Sequence, residues 1–359
     1  MAAVMGMQVA WWLNVYRSFA LAQKHARAEM DRDGPLPALS VIVAARNEVS
    51  TIGDLLTALR AQEYHVFEVI IVDDHSADGT AREVLKFAAT DDRVKLIPSD
   101  GKGKKAAVAS GINAARYEVC VFTDADCRPG PSWLARHGSL HRSEIARVVV
   151  GYAPLRTPRS LLGLYQRYEA EINAMFSGAA IGSRRAYMAT GRNFSYTKAL
   201  FEVVGGFDRH LESLSGDDDI LLQDIRTRTN AEIYWLSEPD AAVESDGKIT
   251  LTGWFRQKRR HTSAGRYFVL DVKLFLLLYH GSQIVMWLAP IVIGLPGLIM
   301  IPIVLAFQAL FIARGRRGLN SRFPIVALPL LAFLNALSMA VLPFAGLIVR
   351  PRAWGGRRE

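Results

Sequence analysis

Short apolar runs alternate with helix-spaced segments over the first third of the chain. Leu39-Ser40-Val41-Ile42-Val43-Ala44-Ala45 is β-branched and apolar, and reads as a buried strand. Residues 51–61 place Ile52, Leu55, Leu56 and Leu59 on one helical face. A second strand follows at Phe67–Val72, then a helix from Ala81 to Ala89, a strand at 94–97, a small-residue helix from Ala106 to Ala115, and an apolar run from Tyr117 to Thr123. Gly101 to Lys105 reads as a flexible basic loop. Strands alternating with helices predict an α/β domain with a parallel sheet and right-handed crossovers.

The pattern changes near residue 273. Residues 274–312 are almost uninterrupted apolar positions, enough for about two spans at roughly 20 residues each. Pro290, Gly294, Pro296 and Gly297 mark a turn between them. A basic loop at 314–322 precedes another apolar stretch, 323–349, and the tail at 350–359 is arginine-rich. At the N-terminus Met1 to Val15 is apolar, with Trp11, Trp12 and Tyr16 as interface anchors. Ala20-Leu21-Ala22 resembles a signal-peptidase site, but no lysine or arginine precedes the apolar stretch, which favours an uncleaved anchor over residues 1–22. An interfacial helix is the alternative. Positive charge from Arg17 onward then puts the polar region on the cytoplasmic side of a multi-pass cell-membrane protein. A single span at 323–349 would put the tail's arginines outside; a segment bent at Pro324, Pro329 and Pro343 would keep them inside.

Composition agrees with this division. The chain has 359 residues, half of them hydrophobic, yet 21% charged, with net charge +9. The basic clusters flank membrane-length runs, which argues against a nucleic-acid partner. Two cysteines, Cys120 and Cys127, form no disulfide framework or zinc spacing.

Acids collect where strands end. Asn47-Glu48 closes the first strand, Asp73-Asp74 the second, and Asp124-Ala125-Asp126 the fourth. In open α/β sheets ligands bind beyond the carboxyl ends of strands. Two carboxylates at i and i+2 there suit a hard divalent ion, Mg²⁺ or Mn²⁺, with Asp126 and Asp124 as ligands. A later triplet, Asp217-Asp218-Asp219, groups mutually repelling charges and is costly unless exposed at a helix N-terminus or functional. The first strand lacks the G-x-G-x-x-G of a nicotinamide site. Ionisable residues are scarce in the apolar segments, which disfavours a transporter.

Residues 39–265 resemble a family 2 glycosyltransferase of the GT-A fold. The resemblance rests on Val41-Ile42-Val43-Ala44-Ala45-Arg46-Asn47-Glu48, on Val72-Asp73-Asp74-His75-Ser76-Ala77-Asp78-Gly79-Thr80, on Gly103-Lys104-Lys105-Ala106-Ala107, and on Thr123-Asp124-Ala125-Asp126. Gly191 to Tyr196 and Val204-Gly205-Gly206-Phe207-Asp208 resemble the stretch before the family's Glu-Asp-x-x-Leu, which appears here as Asp217-Asp218-x-x-Leu221. Gln257 and Arg260 match its Gln-x-x-Arg-Trp, but His261 replaces the tryptophan, which weakens a polymerising activity.

The resemblance implies a GT-A (Rossmann-like, nucleotide-binding) domain at 36–265, flanked by N-terminal and C-terminal transmembrane helices, the latter at 272–349. It implies a nucleotide pocket of Ala45, Glu48 and Asp74, with Lys104, Lys105 and Asp124 near the diphosphate. Gly205, Gly206, Gln257 and Arg260 fall on the acceptor and diphosphate side. Asp218 or its neighbour Asp217 would be the base, the choice being left open by the Glu-to-Asp change. The implied reaction is inverting transfer from a UDP-sugar to a lipid, glycolipid or glycan at the cytoplasmic face. A processive polysaccharide synthase is the close variant, and a non-catalytic membrane scaffold the rival of a different class.

Overall fold

The computed structural model describes residues 2–142, 147–210, 217–319 and 323–348. In chain order the elements are α1 (Ala2–Met30), β1 (Leu39–Ala45), α2 (Ile52–Arg60), β2 (Phe67–Asp73), α3 (Thr80–Ala88), β3 (Val94–Pro98), α4 (Lys104–Ala114), β4 (Val119–Phe122), β5 (Arg128–Pro129), α5 (Trp133–Leu140), β6 (Arg147–Gly151) and β7 (Leu155–Arg156). There follow α6 (Leu161–Gly182), β8 (Phe194–Thr197), α7 (Lys198–Val204), α8 (Asp217–Arg228), β9 (Glu232–Leu236), β10 (Val243–Asp246), α9 (Leu251–Thr262), α10 (Leu270–Ile293), α11 (Leu295–Gly315) and α12 (Leu328–Ile348). The chain divides into two units. One takes in residues up to Ala22, Thr157–Tyr187 and residues from Gly247 onward; the other takes in Gln23–Arg156 and Met188–Asp246.

The second unit is built on a seven-stranded sheet of order β3-β2-β1-β4-β8-β6-β9. Every residue of β1 is buried, as an apolar run broken only by Ser40 requires of a strand covered on both faces, and the Ser40 hydroxyl donates to Glu68 at 2.8 Å. β1 pairs in parallel with β2, from Leu39↔Phe67 to Ala45↔Asp73, and with β4, from Leu39↔Val119 to Ile42↔Phe122. This register brings the ends of β1, β2 and β4 to one edge. The sheet is not wholly parallel, as the alternation predicted. β8 runs antiparallel to both β4 and β6, with Phe122↔Phe194 and Val150↔Phe194 in register. Its first residue therefore sits beside the last of β4, and the loop before it, residues 190–193, arrives at the same edge. Leu55, Leu56 and Leu59 of α2 pack under β1 with Val69, Ile71, Val121 and Trp133. The last turns of α1 cover β6 and β9 through Ala26 and Met30 against Val149, Leu236 and Tyr234. There the buried Arg147 guanidinium meets Glu29 at 2.8 Å and Glu232 at 3.2 Å.

The other unit is helical. Among the described residues three helices are long and apolar enough to cross a membrane, within Leu270–Ile293, Leu295–Gly318 and Ile325–Leu342. Leu277, Ile291, Val292 and Leu295 are exposed on them, an outer surface suited to lipid. Gly294 separates the first two helices, as the cluster of turn residues predicted.

The predicted N-terminal transmembrane anchor over residues 1–22 is corrected. That segment is the front of one 29-residue helix, and it lacks the apolarity of a span. Gln8, Asn14, Arg17 and Ser18 interrupt an apolar stretch too short for about 20 residues. Within its unit, Gln8 is fully buried and accepts from Gln283 at 2.6 Å, while Trp12 packs edge-on to Phe176. The arginine-rich tail at 350–359 lies outside the described residues.

Candidate active site

The loops after β1 and β2 are stitched together by the acidic motif. Asn47 N–H donates to Ser76 Oγ at 3.0 Å, and Ala77 N–H donates back to Asn47 Oδ1 at 2.8 Å. Glu48 N–H donates to Thr80 Oγ1 at 2.8 Å, and Val49 N–H to Asp78 Oδ2 at 3.1 Å. The Thr80 hydroxyl in turn donates to Asp78 Oδ1 at 2.6 Å. Ser76, Asp78 and Thr80 thus brace the edge. Asn47 and His75 both adopt positive φ, 57° and 58°, which is costly for residues other than glycine and is held here by the surrounding bonds.

Asp74 is fully buried beside Ala45, to whose carbonyl its own N–H donates at 2.8 Å. Both its carboxylate oxygens accept from Gly103 N–H at 3.1 Å, and Arg46 lies 3.6 Å away. A single carboxylate therefore fixes the Gly103 loop against the first two strands. The basic loop ends there, because α4 already begins at Lys104. Glu48 accepts from the Thr51 hydroxyl at 2.7 Å. Burial raises its carboxyl's pKa, the Thr51 bond opposes this, and the charges of Asp126, Asp124 and Asp78 raise it further.

One cleft gathers Lys104, Thr123, Asp124, Gly191, Asp217 and Asp218, with Ile42, Phe122, Tyr196 and Phe207 as its apolar wall. Lys104 Nζ meets Asp124 Oδ1 at 2.6 Å. A lysine in the first turn of a helix is opposed by the helix dipole. Burial also works against its charge, but attraction to Asp124, then to Asp218 and Asp217, prevails and keeps the ammonium protonated. Lys105 stands 3.5 Å from Asp217. Its pKa is lowered, because burial outweighs that partner. Asp124, Asp126 and Cys127 present ligand atoms within 4.8 Å of one another. Burial pushes the Cys127 thiol's pKa up, so it stays protonated, and the two carboxylates are the hard donors of the group.

The three acids that open α8 have three different surroundings. Asp217 faces Lys105. Asp218 accepts a backbone hydrogen bond from Gly191 and feels Lys104. Asp219 accepts Ala189 N–H at 2.9 Å. Although each keeps some contact with solvent, burial dominates at the last two. Burial lifts the Asp218 carboxyl to about 6, with Lys104 opposing and Asp217 and Asp124 adding to the rise. Burial lifts Asp219 to about 7, against the Ala189 bond.

Gly191 is a site residue that motif reading left unassigned. A Cβ there would lie 2.2 Å from Asp218 Oδ2, so the acid reaches its place only because residue 191 has no side chain. The adjacent Gly-Arg-Asn spelling was the available signal. Gly205 and Gly206 lie outside the cleft lining. Both adopt left-handed φ, 79° and 56°, and close α7, Gly206 N–H donating to Phe201 O at 2.8 Å. Phe207, the next residue, lines the cleft and stacks edge-on to Phe201. Gln257 and Arg260 are on α9, in the helical unit.

Residues 40–205 match the family model for Glycosyl transferase family 2. The probable glycosyltransferase YdaM of Bacillus subtilis is 27% identical over 252 residues, 66% of this chain and 57% of that protein. The glycosyltransferase AglE of Haloferax volcanii is 31% identical over 186 residues, 51% of this chain and 59% of that one. The chain thus spans less than two thirds of either relative's length. Among solved structures, the mannosyltransferase PcManGT from Pyrobaculum calidifontis, in complex with GDP-Man and Mn²⁺, superposes with a TM-score of 0.51 at 20% identity over 96% of both chains. That likeness is one of fold.

Proposed function

We propose that the protein is a family 2 glycosyltransferase, whose family model residues 40–205 match, and that it moves a sugar from a nucleoside-diphosphate sugar to a membrane-associated lipid or glycan. A UDP-sugar is the donor that the Asp73–Thr80 motif favours, and the cytoplasmic face is the side that the charge distribution favours. One observation carries the reading: Lys104, Asp124 and Asp218 meet in a single cleft at the strand edge.

Asp124 and Asp126 are the residues for a divalent ion, and their clustered oxygens fit Mg²⁺ or Mn²⁺. The solved relative of like fold contains Mn²⁺. Such an ion, when bound, supplies Lewis-acid stabilisation of a diphosphate leaving group. Lys104 is placed to add positive charge on the same side once the donor draws it from Asp124. Asp218 is the general base. Its carboxyl, raised to about 6, is ionised near neutral pH yet basic enough to take the proton of an acceptor hydroxyl as that oxygen attacks the anomeric carbon. Asp217, itself in the cleft lining, holds Lys105 beside it at 3.5 Å, and direct displacement inverts the anomeric centre. Gly205 and Gly206 belong to the acceptor side in this reading.

Calorimetry on the detergent-purified chain tests it. UDP should bind in the presence of Mn²⁺, and Asp126→Ala should abolish that binding. Folded protein that binds neither UDP nor GDP with any divalent ion would refute the donor half.

A further inference from the structure

Beneath the cleft lies a polar network that the chemistry above does not use. Asn193 and His137 are fully buried, as is Ser195, and His141 nearly so. Asn193 Nδ2 donates to the carbonyls of Tyr152 at 2.8 Å and Ala241 at 3.1 Å. Its Oδ1 therefore faces the other way and accepts from Trp133 Nε1 at 2.9 Å and from His137 Nε2 at 2.9 Å. Both donors and both acceptor positions of the amide are filled.

This fixes every proton in the chain of bonds. An amide oxygen cannot donate, so His137 carries a proton on Nε2, and since burial keeps the ring neutral its Nδ1 accepts. The partner of Nδ1 is Ser195 Oγ at 2.7 Å, so the Ser195 hydroxyl donates to it. Ser195 Oγ must then accept from His141 Nε2, 2.8 Å away. Both imidazoles are neutral in this arrangement. Burial agrees, lowering His137 to about 4 and His141 to about 3.

The network grips the loop that touches the base. Asn193 N–H donates to Thr190 O at 2.8 Å, and Asn193 O accepts Gly151 N–H at 2.7 Å. Gly151 has no room for a Cβ, which would lie 2.2 Å from the Asn193 side chain. Residues 190–193 are thereby pinned from below, while Gly191 N–H bonds to Asp218 above. We propose that Asn193 and His137 are positioning residues, whose buried hydrogen bonds hold the Gly191 amide where it orients the Asp218 carboxylate for proton transfer. The proposal rests on the transferase reading for its catalytic consequence, but not for the link between network and loop.

Two measurements on the full chain in detergent separate the two. The first is amide hydrogen exchange over residues 189–193 in His137→Ala, His137→Gln and Asn193→Ala. Exchange should be about tenfold faster or more in His137→Ala, because losing a buried hydrogen-bond partner shifts the loop toward its locally opened state. Gln at 137 offers an amide N–H toward Asn193 Oδ1 and should restore protection. Asn193→Ala risks the fold, so the His137 pair decides. The second is turnover with UDP-sugars. His137→Ala should lose about tenfold or more in kcat, with donor KM and UDP affinity within about twofold of wild type. Unchanged exchange in folded His137→Ala overturns the proposal, as does faster exchange with unchanged kcat. Loss of UDP binding together with kcat also overturns it, since a general structural role would do that. A wild type with no turnover overturns the transferase reading instead, while the exchange rates still judge whether the network holds the loop.

Discussion

Replacing Asp219 by asparagine should stabilise the protein above neutral pH and do nothing for it near pH 5. In the folded chain burial, with Asp218 and Asp217 adding to it, carries the Asp219 carboxyl from 3.8 to about 7, against the pull of Ala189 N–H. Between those values the folded state holds a proton there that the unfolded state has lost, so stability falls as pH rises through about 4 to 7. One pH unit is worth about 1.4 kcal/mol, so the whole window amounts to about 4 kcal/mol. Asp219 keeps some solvent contact, and screening reduces this to about 2–3 kcal/mol. Asparagine preserves an oxygen for the 2.9 Å bond from Ala189 and carries no charge. Its extra N–H groups take back about 1 kcal/mol where they find no partner. The net gain at pH 8 is about 1–2 kcal/mol, or about 2–8 °C in Tm. Melting curves of detergent-purified wild type and Asp219→Asn from pH 5 to 8.5 measure it. A Tm difference that does not grow with pH, or a variant less stable at pH 8, refutes the argument. Turnover separates the neighbours: Asp219→Asn should keep it, whereas Asp218→Asn should lose about 10²–10⁴-fold with UDP binding intact.

Gly191→Ala puts a methyl 2.2 Å from Asp218 Oδ2, so loop and carboxylate must part; turnover should fall about tenfold or more while UDP calorimetry is unchanged. Asp78→Ala removes the acceptor of Val49 N–H and of the Thr80 hydroxyl, which should cost about 1–3 kcal/mol and weaken UDP affinity, read by melting and calorimetry.

The strands that carry the acids were legible because each is a mainly apolar run, interrupted only by Ser40 in β1 and Glu68 in β2, with polar and acidic residues at its end. Burial on both sheet faces writes that pattern into β1 and β2 directly. β8 was not legible. Phe194-Ser195-Tyr196-Thr197 is four residues long, and its direction is set by distant partners: Phe194 pairs with Phe122, 72 positions earlier in β4, and with Val150, 44 earlier in β6. The separate surroundings of Asp217, Asp218 and Asp219 were hidden for a similar reason. Lys105, Gly191 and Ala189 reach them from other parts of the chain, and no local spacing encodes that. Gly205 and Gly206 had a local signal, a glycine pair after a helix, and it is met by the cap of α7. The front of α1 misled because tryptophans and alanines imitate a span, while polar residues interrupt it, Gln8 buried within its unit and Asn14 and Arg17 exposed.

The antiparallel setting of β8 has a consequence for synthesis. β4 finds β1 as soon as it emerges, but its other edge waits for Phe194. At about 5–20 residues per second, that wait lasts about 4–14 seconds. Throughout it Val119-Cys120-Val121-Phe122 presents an apolar, uncharged margin of the kind that recruits strands from other chains. A chain stopped before Phe194 keeps that margin open for good. On the ribosome, the later residues close a seam that the earlier ones cannot close for themselves.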